Sequence, residues 1–74
     1  LMLTEEIKFR LRMNFNPSNL TEVDAVKIAY CDLMQEVEEL RGVDPVSVDK
    51  VLDLLETACM YHIKALTAET YKKV

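Results

Sequence analysis

Between residues 21 and 41, apolar side chains fall at Val23, Val26, Tyr30, Leu33, Val37 and Leu40, with spacings that alternate between three and four. That spacing predicts a helix with a heptad-like seam. Ala25, Ile28, Ala29 and Met34 widen the stripe. Thr21, with Asp24 three residues on, has the form of a capping box, and Glu22 suits the positive end of a helix. Arg41 suits the negative end, and Gly42 is the natural stop.

Residues 45–70 predict a second helix. Asp44 is a good N-cap, Pro45 fits the first helical position, and Val43 and Val48 are spaced as a hydrophobic staple. This helix carries two apolar seams. One is Val48, Leu52, Leu55, Cys59, Ile63 and Leu66. The other is Val51, Leu54, Ala58, Tyr61, Ala65 and Ala68, about 130° away at about 100° per residue. Asp53, Glu56, Thr57, Lys64 and Thr67 make its expected solvent face. A connection of about three residues forces the two helices antiparallel. Two helices share only one contact surface, so the second seam predicts a symmetric homo-oligomer with dimers as the unit.

The N-terminal segment reads two ways. Ile7, Phe9, Leu11, Met13 and Phe15 alternate with Lys8, Arg10, Arg12 and Asn14, the period of a strand with one basic face. Leu3, Ile7 and Leu11 also form a helical stripe, with Glu5 and Glu6 in its first turn. A strand here needs a mate from another chain. Strand–helix–helix is the order of ribbon-helix-helix DNA binders. A first long helix of about twenty residues is longer than that fold uses.

At 74 residues the chain is a single domain with segments 1–19, 20–41 and 45–70. A chain this short buries only about 60% of its unfolded surface, which again favours a partner. Its longest apolar runs are three residues, such as Ile28 to Tyr30, or four where a thiol is counted, as with Cys31 after Tyr30, so no membrane span is expected. Glu5, Glu6 and Lys8 argue against a signal peptide, and two cysteines argue for a reducing cytoplasm over a disulfide scaffold. The net charge of −4 is uneven. Lys8, Arg10 and Arg12 against Glu5 and Glu6 leave residues 1–21 at +1, residues 22–69 sum to −7, and Lys72 and Lys73 close the chain. An acidic body repels duplex DNA and anionic membranes, so an anionic ligand must use the basic segments.

Candidate chemistry is sparse. Cys59 and His62 share a helix face opposite Cys31, a set that could ligate a metal. The cysteines read more simply as small core residues, and no fourth ligand is evident. A single Gly excludes a glycine-rich phosphate loop. The carboxylates read as solvated faces, so no catalytic residue and no cofactor is expected. Arg10 to Pro17 differs, because it sets cations and Phe15 in a Pro-stiffened stretch. There an aromatic can stack on a base and a cation can hold its phosphate. The simpler reading is that Phe9 and Phe15 pin the N-terminus while the cations stay solvated.

Arg12-Met13-x-Phe15-x-Pro17, a long helix, and then Leu55-Glu56-x-Ala58-x-Met60-Tyr61-x-x-x-Ala65-Leu66 together resemble the small hairpin domain of phage anti-CBASS and anti-Thoeris sponge proteins, over residues 10–68. The resemblance implies an all-α fold, with a short N-terminal helix before an antiparallel two-helix hairpin, assembled as dimers and often hexamers. It implies capture of cyclic oligonucleotide immune signals, without cleavage, in the cytoplasm of the infected bacterial host. It also implies that Phe15 stacks on a base and Lys27 meets phosphate. The chain departs from the family pattern in having Phe15 where Tyr is usual and Met13 in place of an aromatic. Tyr61 stands where Trp is common, and Pro45-Val46-Ser47-Val48 lacks the Arg of a second pocket.

The expected function is therefore sequestration of a cyclic oligonucleotide or a cyclic ADP-ribose-type messenger. The expected ligand-binding residues are Arg12, Phe15, Lys27, Tyr61 and Lys64. The alternatives are a ribbon-helix-helix-like DNA-binding regulator and a plain helical oligomerisation module.

Overall fold

The computed structural model describes residues 2–71, all of whose regular structure is helical: α1 (Met2–Leu11), α2 (Thr21–Glu38), α3 (Pro45–Leu66) and a final turn, α4 (Ala68–Tyr71). The basic pair Lys72 and Lys73 lies outside the described residues. No described helix is long and apolar enough to cross a membrane.

The N-terminal segment is helix, not strand. Ile7 and Leu11, four residues apart, enter the core, while Phe9 and Phe15 stay out. A helix satisfies its own backbone, whereas a strand here has no mate among the described residues. The ribbon-helix-helix alternative loses the paired strand it needs.

α2 and α3 lie side by side and run in opposite directions. Arg41 meets Asp49 near one end, and Val23 and Thr67 line one cavity near the other. The α3 seam running from Val48 to Leu66 turns inward as the spacing predicts, with Val48, Leu52 and Cys59 buried. On α2 the buried line is Val23, Lys27, Cys31 and Met34, rotated from the predicted seam, and Leu33 and Leu40 are exposed. The rotation has a packing cause. α2 touches both α1 and α3, so its core line bisects the two directions instead of facing α3 alone.

The helix ends differ in detail from expectation. Leu20, not Thr21, is the N-cap of α2 and gives no side-chain cap. Asp24 instead takes a 3.2 Å hydrogen bond from Asn16 Nδ2. The regular part of α2 stops at Glu38, and the chain tightens into i→i+3 turns through Val43. Gly42 does not take the left-handed conformation of a glycine stop. Asp44 caps α3 as predicted, accepting from Ser47 N at 3.0 Å with Pro45 in the first position. Val43 is 81% exposed, so the staple to Val48 does not form. α3 ends at Leu66, before the expected residue 70. Thr67 is buried there, and its hydroxyl donates back to Ile63 O at 2.8 Å. Thr67 is therefore core, not solvent face. Glu56 is half-buried beneath Arg10 Nε, 3.0 Å from its Oε1.

Candidate functional site

The segment between α1 and α2 is built around the end of α1. Arg12 N donates to Phe9 O (3.1 Å) and Met13 N to Lys8 O (3.2 Å), the paired bonds of a Schellman stop. The position after the last helical residue in that motif is left-handed and usually Gly. Here it is Arg12, at φ 52°. A side chain with a Cβ costs about 1–2 kcal/mol there. The Arg12 guanidinium lies 4.1 Å above the Phe9 ring and donates to Phe9 O.

Lys27 holds the segment from below. Only 4% exposed, it donates through Nζ to both Arg12 O and Phe15 O. Phe15 N also bonds Arg12 O at 2.9 Å, so that one carbonyl ties turn and helix together. Burial pulls the Lys27 ammonium below the usual lysine range, against a raising influence from Cys59 and Asp24. Burial also pushes the Cys59 thiol up, with Lys27 opposing. Burial thus favours the neutral form of that thiol.

The rest of the segment closes on itself. Asn16 Nδ2 donates to Leu20 O at 2.9 Å, Ser18 Oγ donates to Asn16 Oδ1 at 2.7 Å, and Ser18 Oγ accepts from Leu20 N at 3.2 Å. Asn19 takes a left-handed conformation at φ 59°, which Asn tolerates.

Two hollows flank Phe15, which is itself 66% exposed. One is an apolar cavity of about 360 Å³ whose walls include Leu11, Val23, Met60 and Ile63, with Arg10 and Arg12 also lining it. The other is an open groove that includes Lys8, Phe9, Arg12, Met13 and Ile28. Arg12 and Phe15 belong to both. Arg10 is already committed: NH2 lies 2.7 Å from Asp53 Oδ1, and Nε faces Glu56 without an aligned hydrogen bond.

The structure thus brings together three of the five expected site residues. Arg12 and Phe15 present a cation and a ring at the surface. Lys27 sits beneath them with two of its three donors spent on backbone carbonyls, so its part is to hold the segment in shape. Tyr61 and Lys64 are elsewhere, exposed on α3 and paired with each other, Nζ 5.7 Å above the ring. The sequence reading left Met60 out of the site residues, and it missed the Asn16–Ser18 network and the committed state of Arg10. Asn and Ser flanking a Pro were the available signal for the network, since both side chains bond nearby backbone.

His62 turns to α2, with its Nδ1 3.0 Å from Tyr30 Oη and the rings edge to face. Cys31 and Cys59 are free and buried. Among the described residues no group of three His, Cys, Asp or Glu could hold a metal ion.

No known protein family, curated protein or solved structure matches the chain.

Proposed function

We propose that this chain captures a cyclic oligonucleotide or a cyclic ADP-ribose-type second messenger and holds it without cleaving it. In this reading it is an immune-evasion protein of phage type, working as a homo-oligomer, a dimer or a hexamer, in the cytoplasm of the infected host. One observation carries the reading. Arg12 occupies a left-handed position that glycine fills at no cost, yet it is a cation set beside an exposed phenylalanine on a segment clamped from beneath by Lys27. Strain kept at a surface position calls for a use of the side chain.

The chemistry suits the ligand. Phe15 offers a face for a purine, and stacking of this kind is worth about 1–3 kcal/mol per base. Arg12 offers a planar fork for a phosphate oxygen pair. The ordering of the segment is done before the ligand arrives, which lowers the entropic cost of binding. Tyr61 and Lys64 lie outside both hollows that flank Phe15 and have no part in holding the ligand in this reading.

The test is a thermal-shift panel of cyclic dinucleotides, cyclic trinucleotides and cyclic ADP-ribose isomers. A binder at a hundredfold excess over its Kd adds about 2.7 kcal/mol of stability, a shift on the order of 10–20 °C for a domain this small. Phe15→Ala and Arg12→Gly abolish the shift while the helical content stays. A panel with no shift ends the proposal for those ligands, and recovery of altered nucleotide after incubation ends the claim that nothing is cleaved.

A further inference from the structure

α1 covers one side of the α2–α3 pair. It reaches α3 through Arg10 at Asp53 and Glu56, and it borders α2 along the groove that holds Asp24 and Ile28. At about 100° per residue, the opposite side of the pair presents Leu33 of α2 with Leu54, Ala58, Tyr61 and Ala65 of α3, and Leu40 follows in the turns just beyond α2. All six are exposed, and no described element lies over them.

The charge at its edges says what fits there. The two edges of the bare face carry opposite charge. The α2 edge has Glu22, Asp32, Glu36 and Glu39, and the α3 edge has Lys50 and Lys64. None of the six forms an ion pair.

We propose that a second copy of this chain docks on the bare face, with the two-fold axis parallel to the helices, so that α2 of each copy lies on α3 of the other. Such a rotation keeps each residue's level along the axis. Arg41 lies level with Asp49 and Tyr30 with His62, so Glu22, in the first turn of α2, then comes about one turn beyond Lys64 of the other copy's α3. Glu36, near the end of α2, comes about one turn from Lys50, near the start of that α3, a separation over which opposite charges still attract. A two-fold axis across the helices instead lays α2 on α2 and stacks acid against acid. The proposal takes from the preceding reading only that the chain self-associates, and adds the face and the orientation.

Sedimentation equilibrium on the full chain at micromolar concentration tests it, with circular dichroism as the check on folding. The unmodified chain is expected at twice its 8.5 kDa mass, or an even multiple of it. Ala58→Glu, at the centre of the face, is expected to give a helical monomer. Glu36→Lys is expected to weaken association on the order of tenfold, and adding Lys50→Glu to it restores most of the loss. A helical monomer for the unmodified chain overturns the proposal, as does an assembly indifferent to Ala58→Glu. Tighter association of Glu36→Lys overturns the orientation, because only the acid-on-acid arrangement gains from that change. Mass reports the face and thermal shift reports the ligand, so each reading fails by itself.

Discussion

The two sides of the α2–α3 pair differ in how much of their chemistry is settled within one chain. On the side covered by α1, polar groups are matched to partners. Lys27 meets two carbonyls, Arg10 meets two carboxylates, and Asn16 closes its segment. On the bare side Leu54 is 61% and Tyr61 63% exposed, and the flanking charges form no ion pair among the described residues. A covered side can hold strain, as Arg12 shows, because neighbouring bonds over-determine the backbone. A bare side holds nothing by itself and gains only by meeting another surface.

The sharpest way to break this contrast is in the shared core. Met34 is fully buried between the helices. Met34→Ala is expected to lose about 2–5 kcal/mol in urea unfolding, through lost transfer energy and the cavity left behind. A loss under 1 kcal/mol means that the core is looser than its burial implies.

Next in size is the clamp. Lys27→Met keeps the length and the apolar stem but removes the ammonium, leaving Arg12 O and Phe15 O short of a donor. About 1–3 kcal/mol of stability should go, and hydrogen exchange at the amides of residues 12–16 should accelerate. If exchange there is unchanged, Lys27 is not what holds the segment, and its direct use on a phosphate regains force.

Acid probes the loop joining α2 and α3. Arg41 binds Glu38 through two hydrogen bonds of 2.8 and 2.7 Å and holds that carboxyl below its usual range. Ser47, through its side chain and then its backbone N–H, does the same to Asp44. A folded-state pKa below the unfolded one stabilises the fold above the unfolded value, about 4, and the benefit fades as pH falls through the lowered value. Unfolding midpoints should therefore fall steadily from pH 5 to pH 2. The variant Asp44→Asn, joined to Glu38→Gln, should show a flatter decline.

Arg12→Gly has a smaller and opposite effect on stability. It relieves the left-handed strain and raises or preserves stability, by at most about 1 kcal/mol, while the ligand response disappears. A destabilised glycine variant means that the cation over Phe9 is structural. Smallest of all is Leu54→Asn in the Ala58→Glu monomer, where a change within about 0.5 kcal/mol is expected because that face touches nothing.

The local features with short-range causes were legible in the chain. Asp44-Pro45 starts a helix because a carboxylate three residues ahead of a free N–H and a proline at the first position act within one turn. The inward seam of α3 follows from one dominant partner. The site was legible in part: Arg12 and Phe15 could be picked as cation and ring, but not the left-handed backbone that presents them, which depends on bonds to residues as distant as Lys27.

From the chain alone came the all-helical pair α2 and α3, the surplus apolar seam, and a basic N-terminal segment on an acidic body. Periodicity and charge need only the sequence. The choice of helix over strand for residues 2–11, the rotation of the α2 core toward Lys27 and Cys31, and the burial of a lysine were decided by packing. α1 had to find room beside two helices at once, and a side chain's surroundings are set by every element that touches it, not by its neighbours in the chain.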